Sequence, residues 1–343
     1  MAMASTMDLS EITFQDDTRY AYAVGRVRAL ETKLFTKADF SRLLDAADFR
    51  QALRLLAELG YPVSEETREY EPVLMAEQKA ALILLDQLSE DEGLTELFRR
   101  RYDYHNLKVL LKGKHSGQEL EQAVLDLGLV SVEVLAEAVM GGEVGELPET
   151  LARAMAAAEA VFAERRAPQD LDVAVDQEQY AFMAQALGRR DNPFLQTWLA
   201  WEVDLQNIRT FLRLRWLEEN LKLLERDMLP GGSLDAGFFR EIREEPLDTL
   251  AQTFLKTPYG KAIAEGISQL KAQKSFAHLE RSCDDLLIQF FKRSRETSFG
   301  VEPVVAYLLL KEFEIKAVRA VLVGKLNDLP KERIKERLPS EYV

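Results

Sequence analysis

The stretch Tyr102-Asp103-Tyr104-His105-Asn106-Leu107-Lys108-Val109-Leu110-Leu111 decides how this chain is read, because it recurs. It lines up without gaps on Val203-Asp204-Leu205-Gln206-Asn207-Ile208-Arg209-Thr210-Phe211-Leu212, and a third copy is Phe313-Glu314-Ile315-Lys316-Ala317-Val318-Arg319-Ala320-Val321-Leu322. Each copy runs acid, apolar, polar, small or amide, aliphatic, base, and then ends in paired apolar residues. The copies lie roughly 100 residues apart, too far for a solenoid, whose period is about 20 to 50 residues. They indicate three related subdomains.

On a helical wheel the apolar positions of each copy form one stripe, and the acid falls inside it. Asp103 sits among Tyr104, Leu107, Leu110 and Leu111; Asp204 and Glu314 repeat the placement. A carboxylate removed from water costs several kcal/mol unless it is paired, so each acid is expected to meet a base or the N-terminus of a helix. The base of the same copy, Lys108, Arg209 or Arg319, lies on another flank and is not the expected partner. Of the two roles open to a repeated acid, a proton path or metal cage and a packing element, the repetition favours packing. Replacing Asp103 or Asp204 by Ala is then expected to lower stability by leaving a buried base unpaired.

A weaker repeat accompanies the first. Asp48 to Leu56, followed by Gly60-Tyr61, resembles Pro246 to Phe254, followed by Pro258-Tyr259, and Ser131 to Val139 reads as a fainter middle copy. Elsewhere apolar residues recur at steps of three and four, as at Val73, Ala76, Ala80, Leu84 and Leu88. No segment alternates with a period of two, and Asn-Gly and Asp-Gly hairpin signals are absent. The expected fold is all-α, about fifteen helices in three similar subdomains, 1–120, 121–225 and 226–343, with the N- and C-terminal segments packing together.

Composition narrows the function. The 343 residues carry 44 Lys and Arg against 58 Asp and Glu, a net charge of −14, which argues against a nucleic-acid partner held through phosphates. The longest apolar runs, Ala80 to Leu85 and Val304 to Leu310, fall far short of the roughly 20 residues of a membrane-spanning helix. The N-terminal segment has no signal-peptide pattern, so a cytoplasmic location is expected. A single cysteine, Cys283, precludes an intramolecular disulfide and a cysteine-cluster metal site.

Catalytic motifs are equally scarce. Gly113-Lys114, Gly260-Lys261 and Gly324-Lys325 are not followed by the Ser or Thr of a P-loop. His105, His115 and His278 make no metal-ligating pair, and nothing resembles G-x-S-x-G. No cofactor, metal or small-molecule substrate is expected. Basic residues do stand out near the ends of the signature helices: Arg99, Arg100, Arg101, Lys112, Lys114, Arg213 and Arg215. Recurring at equivalent places, they are candidates for contact with an acidic partner.

The segment Tyr20-Ala21-Tyr22-Ala23-Val24-Gly25-Arg26-Val27-Arg28-Ala29-Leu30, the helices with Asp103 and Asp204, Thr257-Pro258-Tyr259-Gly260 and Leu309 to Arg319 together resemble the C subunit of prokaryotic V-type (A-type) ATPases, related to the eukaryotic d subunit. The resemblance spans about residues 18 to 337; the third signature departs from the others, with Glu314 for Asp and Ala317 for Asn. It implies a non-catalytic rotor component: a funnel of three helical subdomains with pseudo-threefold symmetry. Its base would sit on the membrane proteolipid ring at the cytoplasmic face, and its cavity would receive the central shaft of the D and F subunits. An all-α adaptor holding a cytosolic partner in a concave surface is the rival reading.

Overall fold

In a computed structural model, residues 12, 14, 16–64, 66–118, 123–217 and 222–343 are described. Among them every regular element is helical. The chain forms two compact units, one built from residues 1–90 and 244–343, the other from 91–243.

In chain order the first unit opens with α1 (Ala21–Glu31), α2 (Lys37–Asp45), α3 (Phe49–Glu58) and α4 (Glu71–Leu88). The second unit holds α5 (Glu92–Ser116), α6 (Val132–Val139), α7 (Glu149–Arg165), α8 (Pro168–Gly188), α9 (Pro193–Trp216), α10 (Lys222–Asp227) and α11 (Ala236–Ile242). The first unit resumes with α12 (Leu247–Phe254), α13 (Gly260–Gln273), α14 (Ala277–Lys292), α15 (Glu302–Leu326) and α16 (Lys331–Lys335).

Local chemistry sets the helix starts. The side chains of Thr36, Asp48, Asp91, Ser131, Asn192 and Asp235 each accept the backbone N–H three residues on, satisfying a donor that the first helical turn leaves unpaired. Thr36 and Asp39 form a reciprocal capping box. Proline occupies one of the first two positions of α4, α8, α9 and α15, where its missing N–H costs nothing. Gly117 ends α5 in the left-handed conformation, φ 70°.

Packing follows the apolar stripes. In the second unit α7 and α8 pair as a helical hairpin, and α8 also packs on α5 and α9. In the first unit α12, α13 and α14 pack in succession, and α15 touches α1, α3, α4 and α14. The run Glu302 to Leu310 is buried on all sides, so the most apolar stretch of the sequence is the core half of α15. No helix among the described residues is long and apolar enough to cross a membrane.

The middle copy of the weaker repeat needs correction. Asp48 and Pro246 precede α3 and α12, each of which follows another short helix, α2 or α11, whereas Ser131 precedes α6, which directly follows the signature helix α5. In the middle copy only a 3-10 turn, Val144–Glu146, separates α6 from α7. A capped start with apolar residues at helical spacing is common to both kinds of short helix, so nine residues of pattern do not tell them apart.

Candidate functional site

The three signature acids lie on α5, α9 and α15, and all are fully buried. Asp103 Oδ1 accepts the N–H groups of Leu129 at 2.9 Å and Val130 at 3.0 Å. Val130 immediately precedes Ser131, the N-cap of α6, so the acid of α5 holds the chain where the next helix begins. Gly128 makes the approach possible, since a Cβ there would stand 2.0 Å from Asp103 Oδ1.

Asp204 repeats the joint. Its Oδ1 accepts the Leu234 N–H at 3.0 Å, and its Oδ2 accepts the Ser233 N–H at 3.1 Å together with the Ser233 hydroxyl. Leu234 precedes Asp235, the N-cap of α11, and Gly232 leaves the room, its Cβ position lying 2.2 Å from Asp204 Oδ1. The amide one turn along does the same work twice. Asn106 accepts from the Leu125 N–H at 2.9 Å and donates to the Leu125 carbonyl at 2.8 Å; Asn207 does so with Leu229 at 2.9 and 3.0 Å.

Glu314 performs the third joint with a longer arm. Its Oε2 accepts the Phe35 N–H at 2.7 Å, and Phe35 precedes Thr36, the N-cap of α2. Its Oε1 accepts from the Tyr61 hydroxyl at 2.9 Å and from Lys311 Nζ at 2.7 Å. Lys311 also pairs with Glu77 at 2.9 Å and stands 4.6 Å from the centroid of the Tyr61 ring. Burial opposes the charge on Lys311, but Glu314 and Glu77 outweigh it and hold the amine above its usual value. Burial, with Glu314 adjacent, pushes the Tyr61 phenol well up.

The expectation of a base or a helix N-terminus at each acid meets both kinds of partner, and at Asp103 it is main-chain N–H groups at a helix start, not a buried base, that an alanine would leave unsatisfied. Glu314 has its lysine, whereas Asp103 is held by backbone N–H groups, with Arg100 contributing only electrostatically among the described residues. Burial pushes the Asp103 carboxyl above its ordinary range, the two backbone donors opposing it, and Oδ2 finds no hydrogen-bond partner among the described residues.

The bases of the signature reach elsewhere. Lys108 meets Asp176 at 2.6 Å and Lys112 meets Asp172 at 3.0 Å, two rungs between α5 and α8. Burial raises the Asp176 carboxyl against the pull of Lys108, and the same burial lowers His105 beside this ladder. Lys114 and His115 share Glu159 on α7 at 2.6 and 2.8 Å. Arg209 Nε donates to its own helix at Leu205 O, 3.2 Å away, and Arg319 pairs with Glu71 at 2.9 Å. Arg99 reaches the Leu127 carbonyl at 3.5 Å; Arg100 and Arg101 stand 5.8 and 5.9 Å from the rings of Phe182 and Phe98. Arg213 is exposed and Arg215 half-buried near the end of α9.

Phe35, Tyr61, Lys311, Gly128 and Gly232 escaped the sequence reading. The glycines carried a usable signal, since both stand two residues before the amide that the acid holds. Among the described residues no three His, Cys, Asp or Glu side chains are grouped to hold a metal ion, and Cys283 is buried. Two of the Gly-Lys dipeptides, Gly113-Lys114 and Gly324-Lys325, fall ten and eleven residues after their acids, so they are features of the repeat.

What these residues define is a helical repeat scaffold in which a buried acid on a long helix fixes the start of a short one. The chain belongs to the family of the ATP synthase (C/AC39) subunit, whose model matches residues 23–337. It is 26% identical to the V-type sodium ATPase C subunit of Enterococcus hirae, over 92% of this chain and 97% of that protein. It is 27% identical to the V-type ATP synthase C subunit of Thermus thermophilus over 93% and 98% of the two chains, and 23% identical to the A-type ATP synthase C subunit of Methanocaldococcus jannaschii over 94% and 86%.

Proposed function

We propose that this chain is a non-catalytic rotor subunit in the central stalk of a V-type or A-type ATPase, a socket that couples a shaft of D and F subunits to the membrane proteolipid ring. The observation that carries this reading is the acid joint made three times by one chain, which supplies stiff, repeated helix junctions. Passing torque needs elements that do not yield, and a buried carboxylate bonded to main-chain donors resists displacement more strongly than an apolar seam does. Family membership over most of the chain and relatives named as C subunits support the assignment.

In this proposal the three copies form subdomains within 1–120, 121–225 and 226–343, arranged as a funnel with pseudo-threefold symmetry. The protein lies at the cytoplasmic face of the membrane through the complex. Contacts to shaft or ring fall to the basic residues near the ends of the signature helices, Arg99, Arg100, Arg101, Lys112, Lys114, Arg213 and Arg215. No cofactor, nucleic acid or small-molecule substrate enters the role.

Membrane fractionation tests the reading. The chain is expected to sediment with membranes through a moderate salt wash and to appear in the soluble fraction when the proteolipid gene is deleted. A chain that stays soluble in both strains would point to the adaptor and defeat the rotor assignment.

A further inference from the structure

The third joint has a second half. Eleven residues beyond Glu314 on α15, Lys325 Nζ donates to the carbonyls of Leu44 at 2.7 Å and Ala46 at 2.5 Å, the last turn and C-cap of α2. Glu314 meanwhile holds the Phe35 N–H just before the N-cap of the same helix. The spacing is right for one rigid helix to grip another at both ends. Eleven residues of α15 rise roughly 16 Å, and the nine residues of α2 span about 13 Å, so the two run side by side in the same direction.

The charges also match the helix dipole. An acid stands at the positive N-terminal end of α2, bonded to the N–H just before its N-cap, and an ammonium at its negative C-terminal end, bonded to carbonyls that the helix itself leaves unsatisfied. Other C-terminal elements close on α2 as well. Lys331 of α16 pairs with Asp45, and Tyr342 stacks on the buried Phe40 at 4.3 Å between centroids. Gly324, next to the clamp lysine, lets Ile334 of α16 approach so closely that a Cβ would stand 2.5 Å from its side chain.

We propose that Lys325 is a positioning residue: with Glu314 it clamps α2 by both ends in one register on α15, so that the two helices move as a single lever. The lever role rests on the rotor assignment, while the clamp itself does not. Hydrogen bonds from a charged group to main-chain carbonyls are strong enough that their loss opens a helix end by about tenfold or more.

The test uses the full chain and then the assembled ATPase. In K325M, hydrogen exchange at the amides of α2 is expected to quicken about tenfold, with α6 and α11 unchanged, and ions moved per ATP hydrolysed by the assembled complex are expected to fall. K325R, which keeps the charge and a donor, is expected to restore much of both. Unchanged exchange in α2 overturns the clamp. Faster exchange with undiminished transport per ATP overturns the lever role. Should K325M not fold, K325Q is read instead, and equal protection of α2 in K325Q and wild type overturns the clamp. Failure of the wild-type chain to enter any ATPase complex would sink the rotor assignment, and the exchange result would still decide the clamp.

Discussion

The joint at Glu314 and the joints at Asp103 and Asp204 place an acid against the same point, the residue before the N-cap of a short helix, by two different means. In the second unit a short Asp reaches the main chain because glycine stands two residues before the amide it holds, and an Asn one turn on ties down a further stretch of loop. In the first unit the corresponding place is Lys33, exposed and with a full side chain, and a longer Glu spans the gap. The extra methylene brings a second oxygen into reach of Tyr61 and Lys311, so this joint gathers α3 to α4 segments as well as α2. A repeat keeps the job of a position more faithfully than its chemistry.

Removing the acids separates the two means most sharply. Glu314→Ala strips Lys311 and Tyr61 of their shared acceptor and leaves the Phe35 N–H buried without one, at a cost of about 3 to 5 kcal/mol in chemical denaturation. Asp204→Asn keeps the shape and removes the charge facing two N–H groups and a hydroxyl, for about 1 to 3 kcal/mol. Equal losses from the two would mean that the lysine of the first unit adds nothing.

Glycine probes the other side of the contrast. Gly128→Ala and Gly232→Ala each thrust a methyl into the carboxylate and are expected to cost about 1 to 3 kcal/mol, while Lys33→Ala changes stability by less than about 0.5 kcal/mol. Comparable effects at all three positions would erase the distinction between a short and a long arm.

Acid pH gives a smaller effect. Burial places the folded Asp103 carboxyl above its ordinary value of 3.8, so the folded chain binds that proton more tightly than the unfolded chain does. Its contribution to stability is therefore complete below about pH 3.8 and is lost as pH rises through the folded value. Denaturation midpoints of wild type and Asp103→Asn, compared at pH 7 and near pH 4.5, should shift in favour of wild type at the lower pH. A difference that does not move with pH would contradict the raised carboxyl.

Smallest is the cap. Ser131→Ala removes one acceptor at the start of α6 and is expected to cost about 1 kcal/mol, leaving the Asp103 bonds to Leu129 and Val130 in place. Because the acid and the cap satisfy different amides, the double variant with Asp103→Asn should be nearly additive in a mutant cycle.

Much of this was legible in the residues. Helical period, capping residues and the buried face of each signature acid follow from spacing, because side-chain direction on a helix is fixed by position. The acid's partner was not, because backbone amides carry no sequence label: nothing in Leu129 or Val130 marks their N–H as the group that Asp103 needs. Lys311, three residues before Glu314, was adjacent and readable; Tyr61 and Phe35, more than 250 residues away in the chain, were not.

By itself the sequence determined that the chain is helical, repeated about every hundred residues, and furnished with one acid per copy that has to be satisfied indoors. Tertiary structure alone decided what satisfies it. Each acid of the second unit reaches forward to a later short helix, α6 for Asp103 and α11 for Asp204, and the last acid reaches back toward the start of the chain, α15 holding α2. The physical reason is that periodicity constrains only the face a side chain lies on, whereas the group it meets across that face depends on which distant segment folding brings there.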